Sequence, residues 1–362
     1  MRIGHFCRLL LAEFFGRSYT PPVGHGRKCN APQWLDRGGS VRLITRHAWR
    51  HSVNRILVVG VETVAGANLA ACFAERYHVS TWSSEPGYEI ANCDALDFTL
   101  SPGEVIERAQ PDCILYCGPA ARSCWEPDTK ALCNDQMVVD ADIWSQAATA
   151  FNARFVMISS DAVFSGPWMF HDEESHGSCS SFQSQAIRAA EEQVLENALG
   201  ALIIRTNTFG WSAAGEDGGW VESLLKSVET RRVVEQDHIR HATPILATDL
   251  ADIVMRACEE GLTGTYHIAG AERVSPLSFT QRLANQFELP WLALRRESTL
   301  TEAPQGFGEG ECSLQTKKIR KDLCVAMPLL SEGLSRLKEQ AENGYREKLR
   351  VRKTKSVQRR VA

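Results

Sequence analysis

No stretch of the chain approaches the roughly 18 consecutive apolar residues that a membrane-spanning helix needs, so a membrane span is excluded from its reading. Twelve cysteines are present, yet none forms a CxxC pair, which removes the spacing used by zinc ribbons and thioredoxin-like redox sites. They are scattered singly, several inside apolar runs: Cys72 in LAACFAERY, Cys113 and Cys117 in CILYC, Cys258 in VMRACEEG. They read as small core hydrophobes in a reducing, cytoplasmic compartment, not as a disulfide framework. No metal-ligand cluster, internal repeat or motif for reading nucleic-acid bases is visible. Tyrosine is missing between Tyr116 and Tyr266, and lysine between Lys130 and Lys226.

What is present is the composition of an ordinary folded protein. Of 362 residues, 44% are hydrophobic and 23% charged, enough for a sizeable core without staples. The net charge of −4 conceals an asymmetry: residues 1–53 carry 9 basic and 2 acidic side chains, and residues 345–362 carry 8 and 1. The body between them is left with 23 basic and 41 acidic residues, a net of −18. An acidic globule thus sits between two basic ends. The N-terminal FCRLLLAEFFG is interrupted by Arg8 and Glu13 and lacks a clean cleavage site, so it does not read as a secretory signal. Residues 1–53 show no sustained period and read as a disordered basic extension, an organelle transit segment or sequence upstream of the true start. Residues 341–362 read as a basic tail that prolongs a C-terminal helix and frays.

Periodicity begins at residue 54. RILVVG (55–60), HVSTW (78–82), DCILYCG (112–118), RFVMISS (154–160), ALIIRT (201–206) and TYHIAG (265–270) read as strands. Helical spacing occupies ANLAACFAERY, about 129–151, QSQAIRAAEEQVLENA, VESLLKSVE, DLADIVMRACEE and LSFTQRLANQF. Strands alternating with helices predict an α/β fold, a Rossmann-like doubly wound parallel sheet covered on both faces.

The first strand runs into Gly60-Val61-Glu62-Thr63-Val64-Ala65-Gly66 and then a helix. Glycine at both ends of this turn lets a pyrophosphate approach the helix N-terminus. Thr63 stands in the middle, where its β-carbon hinders that approach while its hydroxyl can donate to a phosphate oxygen. A simple strand-to-helix turn explains the glycines equally well. No acid is clearly placed at the end of strand two to grip a ribose hydroxyl.

Taken together, VVGVETVAG, FVMISSDAVFSG (155–166), ALIIRTNTFGW (201–211), HATPILATDLADIV (241–254), GTYHIAG (264–270) and CSLQTKKIRKDL (312–323) resemble the dTDP-4-dehydrorhamnose reductase family of extended short-chain dehydrogenases. The likeness spans about 54–340. It implies a nucleotide-binding core over about 54–210 and an interleaved, small C-terminal α/β substrate lobe over about 211–340. It also implies NADP(H) contacts from Gly60, Thr63, Val64, Gly66, Asp94, Cys117 and Gly118. Thr206 and Asn207 would touch a nucleotide sugar, and Ser160 would polarise the reacting carbonyl.

Reduction of a keto sugar needs a proton donor, which in this family is a tyrosine followed four residues later by a lysine. Here the corresponding positions hold Phe182 and Ala186, or Gln183 and Ile187, depending on register. Substitute acids would have to come from His171, His176 or Tyr116. His171 and His176 read as idle, exposed loop residues and Tyr116 as a buried strand residue. Arg188 is too basic to serve. Two readings follow: a reductase-like protein that binds NADP(H), weakly or no longer, together with a nucleotide sugar; or a catalytically silent regulatory or scaffold subunit. As assemblies, a homodimer and a regulatory partner both remain open.

Overall fold

The computed structural model describes residues 53–214, 218–290, 294–296 and 306–350. The expectations for the N-terminal extension, Val53 apart, and for the tail beyond residue 350 lie outside the described residues. The strands are β1 (Arg55–Val59), β2 (His78–Trp82), β3 (Asp94–Ala95), β4 (Cys113–Tyr116), β5 (Arg154–Ser160), β6 (Leu202–Thr206), β7 (Thr208–Phe209), β8 (Val234–Gln236), β9 (Ile245–Leu246), β10 (Gly264–His267) and β11 (Leu294–Arg296). Seven of them make one sheet in the order β10-β6-β5-β4-β1-β2-β3, and every neighbouring pair is parallel.

The uninterrupted apolar character of the strands follows from burial on both faces. Ile56 and Val58 of β1, with Val156 and Ile158 of β5, enter one core; Leu57 and Val59, with Phe155 and Met157, enter the other. The first core is closed by α1 (Val64–Phe73), and the second by α2 (Pro102–Ala109). The predicted helix over 129–151 is two helices, α3 (Thr129–Leu132) and α4 (Asp135–Ala150). Between them the Asn134 side chain accepts from the Gln136 and Met137 amides at 2.9 and 3.4 Å, and this local bond competes with continuous helix. α4 packs beside α5 (Phe182–Asn197) on the second face.

The C-terminal third is interleaved. α6 (Trp220–Glu229), β8 and β11 form a small lobe, α7 (Ala247–Glu259) packs on α1, and β10 returns to the main sheet. α8 (Pro276–Gln286) joins the lobe through Ala284, which packs with Val228 and Leu294. Arg154 fastens the start of β5 to the end of α7, donating to the Cys258 and Leu262 carbonyls at 2.6 and 2.5 Å. α9 (Lys317–Leu323) and α10 (Leu330–Glu342) follow, and α11 (Tyr345–Lys348) closes back on α1. There the Tyr345 hydroxyl donates to Asn68 Oδ1 at 2.9 Å. The ten cysteines among the described residues form no disulfides, and seven of them are buried. Among the same residues, no helix is long and apolar enough to cross a membrane.

Phe155 lies 1% exposed in the second core, its ring stacked on Tyr116 at 5.8 Å. Phe155→Ala is expected to destabilise the fold by about 3–5 kcal/mol, read as a lower urea midpoint at unchanged m-value.

Candidate functional site

All strands of the main sheet point the same way, so their C-terminal ends share one edge. In an open parallel sheet the ligand crevice lies on that edge, where the strand order reverses, here between β1 and β4. The turn after β1 sits at this point. Gly60 has φ +89°, and a Cβ built on it would lie 2.1 Å from the Cys117 carbonyl oxygen. A Cβ on Gly66 would lie 2.2 Å from the Gly60 carbonyl oxygen. Both glycines are therefore demanded by backbone crossing inside the protein. Thr63 caps α1: its hydroxyl donates to the Gly60 carbonyl at 2.8 Å and accepts from the Gly66 amide at 3.0 Å. This corrects the expectation that the hydroxyl is free to donate to a phosphate, because its proton is already bonded within the turn. Val64 opens α1 and is buried.

Glu62, passed over in the sequence, projects from the same turn. Ser84, just past β2, donates to its Oε1 at 3.1 Å, while Oε2 is buried with no partner among the described residues. Asp94 is placed elsewhere: it lies in β3 with its carboxylate 3.1 Å from Nε2 of His78, at the start of β2. The turn is not where the structure puts it, since parallel pairing aligns Asp94 with Ser80 in mid-strand. Cys117 is buried against Gly60. Gly118 lies under the Tyr116 ring, whose hydroxyl would sit 2.7 Å from a Cβ there. Tyr116 is fully buried, and burial pushes its phenol well above the ordinary range.

The ends of β5 and β6 bring Ser160, Asp161, Thr206 and Asn207 together. Ser160 Oγ accepts from the Ala162 amide at 3.1 Å. Thr206 is buried and its hydroxyl has no partner among the described residues. The Asn207 amide donates to Asp161 Oδ2 at 3.0 Å, and its carbonyl accepts from the Ser123 hydroxyl at 2.8 Å. Among the described residues Asp161 Oδ1 has no hydrogen-bond partner, and burial raises this carboxyl from 3.8 to about 7 despite donors from Asn207 and Cys124. An aspartate that closes a strand ordinarily caps the next turn; the structure makes Asp161 the centre of a buried polar cluster.

Along α5, Phe182 is 54% exposed, Gln183 half-buried, and Ala186 and Ile187 buried. The groups that α5 bonds to this edge are others. The Ser184 hydroxyl donates to the Ala162 carbonyl at 2.6 Å, Arg188 donates to the Cys179 and Val163 carbonyls at 2.9 and 3.2 Å, and Glu191 accepts from Ser159 at 2.6 Å while pairing with Arg205. His176 is exposed as expected, but His171 is not. Its ring stacks on Phe164 at 4.4 Å, with Nδ1 2.8 Å from the Ser175 hydroxyl and Nε2 3.0 Å from the Glu311 carbonyl oxygen. An aromatic neighbour and two polar partners make burial favourable, and burial lowers its pKa.

A cavity of about 230 Å³ opens between the small lobe and the segment after β4. Trp125, Trp220 and Phe279 line it, with ring centroids 5.5 to 6.4 Å apart, together with Gln236 and Arg240. The Trp220 indole N–H is buried without an acceptor among the described residues. Trp125 joins the cavity to the polar cluster, its amide donating to Ser123 Oγ at 3.1 Å. Residues 125, 220 and 279 lie 95 and 59 positions apart along the chain, so no local motif announces them.

The turn fits a dinucleotide. The N-terminus of α1 faces the reversal point of the sheet, glycine keeps the crossing tight, and the unpartnered Glu62 oxygen offers an acceptor beside the end of β2. On the other side of the edge, the charge state of Asp161 couples to stability. Between pH 4 and pH 7 the folded protein keeps a proton that the unfolded chain has released, so stability falls as pH rises through that window. Asp161→Asn is expected to abolish this contribution, of order 4 kcal/mol, and to leave the variant more stable than wild type at pH 8 but not at pH 4. Urea denaturation of both proteins at the two pH values measures the difference.

Comparison with known proteins places this edge in context. The sequence profile of the RmlD substrate binding domain matches residues 54–342. Methionine adenosyltransferase 2 subunit beta of Bos taurus is 26% identical over 210 residues, which cover 55% of this chain and 61% of that protein. The chain thus matches less than two thirds of the bovine subunit's length. Among solved structures, the dTDP-4-dehydrorhamnose reductase of Bacillus anthracis in complex with NADP superposes with a TM-score of 0.65 at 18% identity, covering 80% of this chain and 100% of that one. The dTDP-glucose 4,6-dehydratase of the same organism in complex with NAD superposes with a TM-score of 0.62 at 12% identity, covering 81% and 98%. At these identities the structural likeness speaks for the fold: a Rossmann-like parallel sheet flanked by helices. The profile match covers most of the chain, and the chain belongs to the RmlD substrate binding domain family.

Proposed function

We propose that this protein is a reductase-derived nucleotide-binding protein that holds a nicotinamide dinucleotide across the ends of β1 and β4 and a nucleotide sugar over the ends of β5 and β6, without reducing it. The observation that carries the reading is the set of groups α5 bonds to the sheet edge: Ser184, Arg188 and Glu191, with no phenol and no amine anywhere in the helix. Loss of a general acid alone costs about 10²–10⁴ in rate.

When bound, the dinucleotide would supply a hydride to a keto group. This chain's residues supply binding and orientation. Gly60 and the first turn of α1 would hold the pyrophosphate. The partnerless Thr206 hydroxyl and Asp161 Oδ1 would take sugar hydroxyls, with Asn207 fixing the carboxyl. Ser160 would orient a carbonyl. The Trp125–Trp220–Phe279 cavity would enclose the nucleoside base, and Arg240 would meet the phosphates. The resemblance points to NADP(H) as the dinucleotide and the scattered cysteines point to a reducing, cytoplasmic setting, whereas the charge around Glu62 points away from NADP(H).

A second reading rests on the bovine relative, which is named as a subunit of an adenosyltransferase. In it, ligand occupancy of the same edge serves a regulatory role on a partner enzyme.

Tryptophan fluorescence titrations with a dTDP-sugar and with reduced dinucleotides, followed by a turnover assay on dTDP-4-dehydrorhamnose, test the proposal. Saturable binding without turnover is expected, and Trp220→Ala should weaken sugar-nucleotide binding about tenfold. Brisk dinucleotide oxidation would sink the silent reading; if that activity vanished in Asp161→Asn, Asp161 would be the replacement proton donor.

A further inference from the structure

Three acidic or hydroxyl-bearing positions meet where the adenosine ribose of a dinucleotide would lie if the site is as proposed above. Glu62 leaves the turn between β1 and α1, and Ser84 and Glu85 follow the end of β2. Ser84 holds Glu62 in one orientation by donating to Oε1 at 3.1 Å. Oε2 is left buried and without a donor among the described residues. A buried carboxylate oxygen with no donor is costly, and it persists where a ligand hydroxyl completes it. The neighbourhood is negative: both Glu62 and Glu85 raise the pKa of the adjoining Tyr88 phenol, after desolvation, which is the largest cause. Arg122, the cation that acts in the opposite sense there, is held by Glu126 at 2.5 Å.

We propose that Glu62, aimed by Ser84, reads the adenosine ribose and makes this site select NAD(H) over NADP(H). A free 2′-hydroxyl donates to Oε2 and satisfies it. A 2′-phosphate has no proton to give at that distance and sets a second anion against Glu62 and Glu85 in a partly desolvated crevice. The residue is unusual in its place. Selection by an acid is ordinarily expected about 20 residues past the glycine turn, at the end of the second strand. Here the carboxylate comes from the turn itself, and the end of the second strand contributes the serine that orients it.

The inference rests on the dinucleotide reading, and binding measurements on the full chain separate the two. NADH, NADPH and ADP-ribose are titrated by isothermal calorimetry, at low and at high salt. The expected result is an NADH Kd at least about tenfold below that of NADPH, with the gap narrowing as salt screens the repulsion. Glu62→Gln should shrink the gap, chiefly by tightening NADPH, and Glu62→Lys should reverse it, with thermal unfolding confirming that both variants are folded. Wild-type protein that binds NADPH as tightly as NADH overturns the selection while leaving the dinucleotide site standing. An unchanged ratio in folded Glu62→Gln overturns Glu62 as the reader. Absence of binding by all three ligands overturns the dinucleotide site and this inference together.

Discussion

Burial of one parallel sheet on both faces is the constraint from which the other features follow. Residues alternate between two cores along β1 and β5, so the mid-strand positions of both strands are apolar. Polar chemistry is pushed to the strand ends. Since all seven strands run in parallel, the ends that matter gather on a single edge. Glu62, Asp161, Thr206 and Asn207 are there because a doubly covered sheet leaves them nowhere else to be.

Much of this was legible in the amino-acid order. β2 and β5 match their expected limits, and β1, β4, β6 and β10 lie within a few residues of theirs, because strand runs closed by glycine or polar residues carry a strong local signal. The missing tyrosine and lysine were legible as plain counts. The break between α3 and α4 was not, because it depends on one asparagine choosing a local bond over the helix. The two-residue strand β3 was also invisible, being too short to show a period.

The site was less legible than the fold. Burial is a property of the folded chain, and it reverses the reading of several polar residues. His171 lies in a polar, glycine-rich segment that looks exposed, yet Phe164 covers its ring and two groups satisfy its nitrogens. Asp161 looks like a turn cap, yet it lies in a cluster assembled from residues near 123, 161 and 207. Glu62 stands inside the glycine motif, yet glycine spacing says nothing about where the intervening side chains point.

The crossing of Gly60 over Cys117 has a wider consequence. The missing β-carbon is required by the protein's own chain, 2.1 Å away, before any cofactor is considered. Descendants of such a fold could shed their ligand and still display the glycine hallmark unaltered, since architecture alone would preserve it. Ancestry, not occupancy, is what that hallmark records.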